Sequence, residues 1–489
     1  MELLRRYNQN PQFAKSLVAK ALTAASASGG PLTPQILERL ITNTIVRLAP
    51  EIAMIQPKAV AGKYAEFNRV TALPGANGLI GDGGTTPVRQ STYVRTGRNL
   101  KVLRRKGAVT VFLQDASRDY IDVVAQEMEN HLVAHIYDMI TLMLFGNENA
   151  DQYGWNGLDC LIATNRFQQV AGGVVPTTLK FLDDMIDANT RRQGQRHRKA
   201  FLMSPEMLSL VSRILSNVRL VQNMTGSGLQ TIEINGGWRL QAYRNVPIIE
   251  SAYCRPQNTG PSLTTAVAGA GSGLGGATTA YLRLSYVSIN GEEMASAEAS
   301  QALGTSDTIT ISWTKPTAAV PFQYRLYVSN TAGGGTGAEK LVLILPATLY
   351  ASDGTPADDV VSVQLSSNPA VANPTIAQMN GTAVGSAAAG GGIVPSVTTS
   401  VSTAQANDIP LIATGGVPME NVFLWDLDEI QGMGRFAYTN TEGSRFKGLV
   451  TMEPLAKTDD NLPFLVKTYG ALIDAFEATN AQNRGLRVA

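Results

Sequence analysis

Apolar residues recur at steps of three and four between residues 117 and 145, and this run limits the possible folds more than any other feature. The spacing places them on one face of a single α-helix. Ser117 suits the N-cap and Gly146 the stop, while Asp119 and Asp122 suit the positive end of the helix dipole. A helix of about 28 residues is roughly 40 Å long, so the pattern predicts a spine on which a sheet can lie. The apolar positions are Ile121, Val124, Met128, Leu132, Ile136, Met139, Ile140 and Met143.

The segment before this helix is a long excursion rich in Gly, Pro, Asn and Thr. The stretch "ALPGANGLIGDGGTTPVRQ" lies between the strand-like pieces "KYAEFNRV" and "STYVRTGRNLKVLRRKGAVTVFL". Alternation in Tyr93 and Arg95, and again in Val102 and Arg104, predicts a two-stranded ribbon that carries the excursion out and back. Long loops without structure of their own are uncommon in compact domains, so we expect this one to find its partners elsewhere. A disordered surface loop is the alternative.

The remaining flanks combine a basic arm with α/β segments. Residues 1–49 predict a partly helical arm, broken by "SASGGPLTP", whose second helix, "PQILERLITNTIVRLAP", ends at Pro50. Residues 177–193 predict a helix, and "KAFLMS" a strand. Ser204 and Pro205 form an N-cap and first-turn pair for the helix "SPEMLSLVSRILSNV". The segment "WRLQAYRNVPIIES" predicts strands, and mixed helix and strand patterns return from Leu411.

Between these flanks lies a block with an all-β pattern, bracketed by the low-complexity stretches "AVAGAGSGLGGATTA" and "GSAAAGGGIVPSVTTSVSTAQAND". Such stretches are typical of flexible linkers, so the block is interpreted as a domain inserted into a loop of another. Asn290 and Gly291 predict a hairpin turn. Ile309, Ile311 and Trp313 alternate with polar residues on one strand. On a second strand Tyr324, Leu326 and Val328 alternate with Arg325 and Tyr327. This pattern resembles fibronectin type III and immunoglobulin-like sandwiches, over about residues 277–345.

Charge is distributed unevenly along the chain. The whole sequence has a net charge of +1, with 40 Lys or Arg against 39 Asp or Glu. Residues 1–110 carry a net charge of +11, whereas residues 256–409 carry −5. The first region therefore favours anions, either acidic neighbouring subunits or nucleic acid. Two cysteines match no disulfide scaffold, zinc motif or redox motif, so a reducing compartment is expected. Neither a signal peptide nor a membrane-spanning run is predicted.

Four features of the sequence are candidates for sites of chemistry, but none predicts a catalytic, cofactor-binding or metal-binding residue. Cys160 follows Asp159 but lies between leucines, without a histidine base nearby in sequence. His131 and His135 share a helical face but lack the Glu of the metalloprotease pattern. The glycine run of residues 269–276 precedes a strand, whereas a dinucleotide site needs a helix there. The basic run of residues 191–199 has no aromatic residues to stack bases.

Together the flanks resemble the major capsid proteins of tailed bacteriophages, the Hong-Kong-phage capsid fold, which encapsulin shells share. The resemblance covers residues 1–255 and 410–489, and its sharpest pieces are "NGLDCLI", "FLMSPEMLSLV" and the strand-rich tail with "LPFLVKTYGALID". It implies an α+β fold with an N-arm, an E-loop, a P domain with a long spine helix and an A domain, here with an inserted all-β immunoglobulin-like sandwich. In "YGWNGLDCLI", Gly154 and Gly157 would permit the turn off the spine helix. Trp155, Leu158, Leu161 and Ile162 would anchor it by packing, without chemistry.

The resemblance assigns the chain to six segments. These are residues 1–56, the N-terminal arm; 57–115, the E-loop ribbon and adjoining P-domain strands; 116–175, the P domain with the spine helix; 176–255, the first part of the A domain; 256–409, the inserted surface domain with flexible linkers; and 410–489, the return through the A and P domains to the C-terminus.

The function implied is self-assembly, not enzymatic activity. Pentamers and hexamers of the chain would form an icosahedral head in the virion, assembled in the cytoplasm of the host bacterium. The partners implied are other copies of the chain, packaged double-stranded DNA bound without sequence preference, and a separate scaffolding protein, a portal and decoration proteins. No cofactor and no membrane are implied. Lys58 and Lys63 flank the ribbon, but no Asn partner for a covalent crosslink is identifiable. The alternatives are an encapsulin-like bacterial compartment, and a tail or adhesin protein that binds host glycans.

Overall fold

The computed structural model describes most of the chain from Pro50 onward. The described residues are 50–60, 62–75, 84–85, 88–117, 122–168, 173–191, 198–222, 230–234, 238–268, 278–303, 308–329, 339–350, 356–367, 379–385, 396–397, 401, 405–414, 416–428, 433–439, 449–457, 459–473 and 477–488. The predicted arm and its helix, except for Pro50, lie outside them. So do the glycine run of residues 269–276, the middle of the predicted excursion and most of the second low-complexity stretch.

Six α-helices lie in the described residues. They are α1 (Pro50–Met54), α2 (Val111–Ser117), α3 (Val123–Phe145), α4 (Leu158–Leu161), α5 (Lys180–Arg191) and α6 (Pro205–Gln222). Pro50, the first described residue, is helical in α1, whereas the arm helix predicted to end at Pro50 lies outside the described residues. The fixed φ and missing N–H of a proline are compatible with a first helical turn.

The spine is α3, but it begins later than the sequence predicted. Its 23 residues make it roughly 35 Å long. Asp122 is the N-cap, and its carboxylate accepts a hydrogen bond from the backbone N–H of Ala125 at 3.1 Å. Ser117 instead ends α2, a segment predicted as strand, whose first turn is capped by the Thr110 hydroxyl that accepts from Leu113 N at 3.3 Å. The prediction of one helix from Ser117 was therefore wrong at its start, while its end before Gly146 is confirmed.

A five-stranded sheet lies against α3. Its strands are β1 (Gln56–Val60), β4 (Lys101–Thr110), β24 (Arg435–Thr439), β25 (Thr451–Pro454) and β26 (Asn461–Ile473). Strand β26 is central, with β4 along one edge and β25 and β24 along the other, and β1 pairs in parallel with β24. Val102 and Arg104 thus belong to this sheet and not to the predicted ribbon, because β4 pairs with β26 along its whole length.

A seven-stranded sheet forms the second layer. In spatial order its strands are β5 (Arg166–Gln168), β27 (Ala481–Leu486), β23 (Glu420–Asp426), β6 (Lys199–Met203), β9 (Val246–Glu250), β8 (Trp238–Tyr243) and β7 (Gln230–Ile234). Both faces of its centre are covered. Leu202 and Trp425 pack with the end of α3, whereas Phe201 and Leu424 pack with α5 and α6. This two-sided burial explains the continuous apolar runs at residues 200–203 of β6 and 422–425 of β23. The Ser204 cap is confirmed, since its hydroxyl accepts from Met207 N at 3.0 Å.

The inserted block contains two antiparallel sheets around one core. One sheet contains β11 (Thr278–Ser288), β12 (Gly291–Glu292), β13 (Ala299–Leu303), β15 (Pro321–Ser329) and β16 (Lys340–Pro346). The other contains β10 (Leu263–Ala268), β14 (Thr308–Trp313), β17 (Thr348–Tyr350), β18 (Pro356–Ser367), β19 (Met379–Gly385) and β20 (Ser396–Val397). The inward residues Ile309, Ile311 and Trp313 are buried as predicted.

In the inserted block, the predicted turn is present, whereas the burial along β15 differs from the prediction. The turn at Asn290 and Gly291 joins β11 to β12 as predicted, and Gly291 has a φ of +97°, which favours glycine. Alternation on β15 did not predict burial correctly. Arg325 and Tyr327 are fully buried along with Leu326, because the outward face of β15 packs against the body of the chain. We use "body" below for everything outside residues 256–409.

Candidate functional site

Strands β2 (Tyr64–Ala72) and β3 (Thr92–Asn99) form a two-stranded antiparallel ribbon that pairs with no third strand in the described part of the chain. Nine residues of β2 span roughly 30 Å. Ala65 and Leu100 are buried at the root, where Leu100 N donates to Lys63 O at 2.8 Å. The ribbon is therefore fixed at its root and extends away from the body.

The outer half of the ribbon exposes large apolar side chains. Val70 and Tyr93 lie opposite each other on the two strands and are 51% and 69% exposed. Leu73 and Val88, just beyond the strands, are 77% and 89% exposed. A two-stranded ribbon is at best marginally stable in water, and contiguous exposed apolar surface marks an interaction site. The ribbon thus has the properties of a segment that completes its packing on another molecule.

The segment "YGWNGLDCLI" turns off the spine helix by close backbone packing. A Cβ on Gly157 would lie 2.7 Å from both Gly146 N and Leu142 O, whereas one on Gly154 would meet nothing closer than 3.4 Å. Trp155, Leu158 and Ile162 are buried in the core that α3 shares with both body sheets. The predicted packing role of the apolar residues is confirmed; only Gly157, of the two glycines, is sterically required.

The same segment contributes to a buried ionic cluster that the sequence did not predict. Three carboxylates and three guanidinium groups meet where the inserted block contacts the body. The members are Asp159, Arg166, Glu292, Arg325, Asp408 and Arg484. Each of these side chains is at most 5% exposed.

Asp159 is one centre of the ionic cluster. Its Oδ2 accepts from Arg325 Nη2 at 2.7 Å and its Oδ1 from Arg166 Nη2 at 2.9 Å. Arg166 also pairs with Asp408, with Nε to Oδ1 at 3.1 Å. Burial opposes ionisation of Asp159, but Arg325, Arg166 and Arg484 together hold its pKa below the usual range. Asp159 is therefore an ionised structural group.

Glu292 is the second centre. It accepts from Arg325 Nη1 at 2.9 Å, from Arg484 Nη1 at 2.7 Å and from the Tyr327 hydroxyl at 2.9 Å. Burial again opposes ionisation, and Arg325 and Arg484 hold the pKa of Glu292 below its usual range. An arginine in a strand of apolar residues was the one available signal in the sequence. Sequence spacing could not identify its partners, because Asp159 lies 166 positions from Arg325.

Cys160 and the two histidines of α3, His131 and His135, lie in structural environments. Burial raises the pKa of the Cys160 thiol to about 12, and its Sγ lies 3.6 Å from Asn156 Oδ1, so a reactive thiolate is disfavoured. His135 Nε2 lies 2.8 Å from Thr468 Oγ1, and burial together with Arg105 lowers the pKa of His135 to about 4. His131 packs edge-on against Phe464 at 5.1 Å between ring centroids. Both histidines thus face β26.

The basic run of residues 191–199 lies partly within the described residues. Residues 192–197 lie outside the described residues, while Arg198 donates to Met54 O at 2.8 Å and Lys199 to Asn189 Oδ1 at 2.6 Å. Among the described residues no group of three or more His, Cys, Asp and Glu side chains is arranged to hold a metal ion. No helix within that part is long and apolar enough to cross a membrane.

Comparisons with known proteins give structural similarities at low sequence identity. No protein-family model and no curated protein matches the sequence. The holo-SrpI encapsulin complex of Synechococcus elongatus aligns over 96% of this chain and 98% of its own, at 9% identity and a TM-score of 0.42. The capsid of a native GTA particle aligns over 95% and 99%, at 9% identity and a TM-score of 0.45. The capsid of cyanophage A-1(L) aligns over 93% and 98%, at 10% identity and a TM-score of 0.39. These three structures are an encapsulin complex and two capsids, each at a TM-score below 0.5.

Proposed function

We propose that the chain is the major capsid protein of a tailed bacteriophage, which assembles as pentamers and hexamers into an icosahedral head around double-stranded DNA. The single observation that carries the proposal is the ribbon of β2 and β3, whose outer half exposes Val70 and Tyr93 on a segment that has no third strand in the described chain. Such a segment gains its packing when it lies on the next copy of the same chain.

The assembly mechanism follows from this geometry. A ribbon that leaves one copy and lies on the next makes a heterologous contact, and heterologous contacts form rings when the rotation between copies closes. Each contact is modest, but many copies make overlapping contacts, so the shell is held by their combined effect. The body supports the ribbon rigidly, because its root is buried with the end of α3. The proposed segments are those given from the sequence, except that the first predicted linker joins β10 to β11 within the block and does not bracket it. The inserted block of residues 256–409 would be displayed on the outer surface.

The proposal includes the partners and the location that a phage head requires. The subunits would assemble in the cytoplasm of the host bacterium, with a separate scaffolding protein, a portal and decoration proteins as further partners. The basic residues of the segment 1–110 would contact acidic surfaces of neighbouring copies or the packaged DNA. Of the described cations there, Arg104 and Lys106 point away from α3 and are exposed.

The experiment is electron microscopy of the full chain, expressed alone and with the candidate scaffolding protein. Closed shells or tubes of capsomers are expected. The double variant Val70→Ser/Tyr93→Ser should fold with the wild-type circular dichroism spectrum and yet fail to assemble. Val320→Ser is the matched control, because Val320 is 68% exposed on the inserted block, and it should assemble normally.

The outcomes separate the competing functions. Shells that protect nucleic acid from nuclease support the phage head, whereas shells filled with a dedicated protein cargo would favour an encapsulin-like compartment. Only small oligomers in every condition would refute a shell and favour the adhesin. Normal assembly of the ribbon double variant would show that the ribbon is not the assembly contact.

A further inference from the structure

The ionic cluster at the contact between inserted block and body is neutral only when the two are together. The body supplies Asp159, Arg166 and Arg484, which sum to +1. The inserted block supplies Glu292, Arg325 and Asp408, which sum to −1. Buried charges are tolerated only when they are paired and hydrogen-bonded, so each half needs the charge of the other. The charges thus favour one arrangement of the inserted block on the body.

The inserted block also caps the C-terminal end of the spine helix. The last carbonyls of a helix have no partner within it, and the end carries a partial negative charge. Gln323 Nε2 donates to Phe145 O at 2.9 Å, and the Arg325 guanidinium lies 5.7 Å from the centroid of the Phe145 ring. Gln323, Arg325 and Tyr327 share one face of β15. That face therefore provides a hydrogen bond to the last carbonyl of α3 and packs the Arg325 guanidinium on the ring of its last residue.

Apolar packing continues the same contact. Val287 of β11 is buried in the core that contains Phe145, Leu158 and the ribbon-root residue Leu100. Arg484 Nε donates to Ile409 O at 2.7 Å, which fixes the point where the chain leaves the block. The block thus contacts the body through charge, helix capping and core packing, all within one buried surface.

We propose that the inserted block is a clamp on the C-terminal end of α3, so that block and body open and close as one cooperative unit. A domain displayed on two flexible linkers would instead fluctuate and unfold independently. The clamp sets the position of the end of α3, and through the shared core the position of the ribbon root. This inference does not depend on the proposed assembly.

Hydrogen–deuterium exchange of the full-length subunit, followed by mass spectrometry, tests the clamp in two segments, residues 135–162 of the body and 321–329 of the block. Arg325→Met leaves three buried carboxylates facing two arginines. We expect exchange in both segments to accelerate together, by roughly a hundredfold or more. Lys315→Met is the matched control, because it removes a cation from the block whose pair with Asp359 is more than one-third exposed. It should leave exchange in the body segment unchanged.

A second variant tests charge balance itself. Asp159→Asn combined with Arg325→Met leaves two carboxylates and two arginines, so the double variant should recover part of the protection that Arg325→Met loses. Acceleration confined to residues 321–329 would overturn the clamp, since the block would then open without the body. Failure of the double variant to recover any protection would overturn the charge-balance argument. Loss of assembly in the ribbon variants affects neither result.

Discussion

Gly157 offers a sharp test of how the chain leaves the spine helix. In Gly157→Ala the new Cβ would lie 2.7 Å from Gly146 N and Leu142 O and 2.8 Å from Leu144 C. All three are backbone atoms at the end of α3, so no side chain can rotate out of the way. Overpacking of this kind costs about 1–3 kcal/mol. Because the backbone itself must move, we expect a loss of about 3 kcal/mol in the free energy of unfolding.

Gly154→Ala is the matched control in the same loop. Its Cβ would be 3.4 Å from Asp151 O, an ordinary contact, and Gly154 is not among the residues with positive φ. A compatible Gly→Ala change stabilises by about 0.4–1 kcal/mol, because it restricts the unfolded chain. The two substitutions add the same atom three positions apart, so their difference isolates the steric contact.

The assay is urea unfolding of the unassembled subunit, monitored by tryptophan fluorescence with Trp155 in the affected loop. With an m-value of about 3 kcal/mol per M, the Gly157→Ala midpoint should fall by about 1 M, while that of Gly154→Ala stays or rises. Equal midpoints for the two variants would refute the reasoning that the close backbone approach at Gly157 fixes this turn.

Three further predictions concern titration and reactivity. Burial raises the pKa of Glu51 from 4.5 to about 7, so its contribution to stability is full below pH 4.5 and is lost as the pH rises through 7. Glu51→Gln should therefore flatten the fall in melting temperature over that range, equivalent to at most about 3 kcal/mol, and an unchanged slope would contradict this. The pKa of His135 is lowered from 6.5 to about 4, so its effect on stability runs in the opposite direction with pH. Its contribution to the free energy of unfolding is full above pH 6.5 and is lost as the pH falls through 4. His135→Gln should reduce that acid-side loss in the same melting series. Cys160, with its pKa raised to about 12, should react with iodoacetamide at pH 7.5 only after denaturation, and rapid native labelling would disprove its inert environment.

The sequence predicted features that depend on local periodicity or on steric requirements within a few residues. The apolar positions of α3, the inward face of β14 and the Ser204 cap all follow from spacing that a short window reveals. The start of α3 was misplaced because Ser117 and Asp122 are both competent caps, and only the surrounding structure selects Asp122. Local signals therefore gave the type of an element more securely than its boundary.

Features that depend on distant parts of the chain could not be predicted. Period-two alternation places Arg325 on the outer face of a strand, and only the packing of β15 against the body buries that face. Its partners Asp159 and Glu292 lie on separate elements, and nothing in their neighbouring residues marks them as charge partners. The ribbon was predicted, but β4 was assigned to it because alternation does not reveal which strand will be the neighbour.

The pairing of β4 with β26 has a consequence for how the protein is made. Strand β4, residues 101–110, pairs with residues 461–470, so the sheet beneath the spine helix stays incomplete until those later residues have been synthesised. At roughly 5–20 residues per second, a ribosome needs roughly 20–70 seconds to add the intervening chain. The described strands of the inserted block all lie within residues 263–397 and have been synthesised before β26. A nascent chain therefore carries every strand of the inserted block while the long apolar face of its first half still lacks its sheet and Glu292 still lacks Arg484, and this interval is when it is most exposed to aggregation.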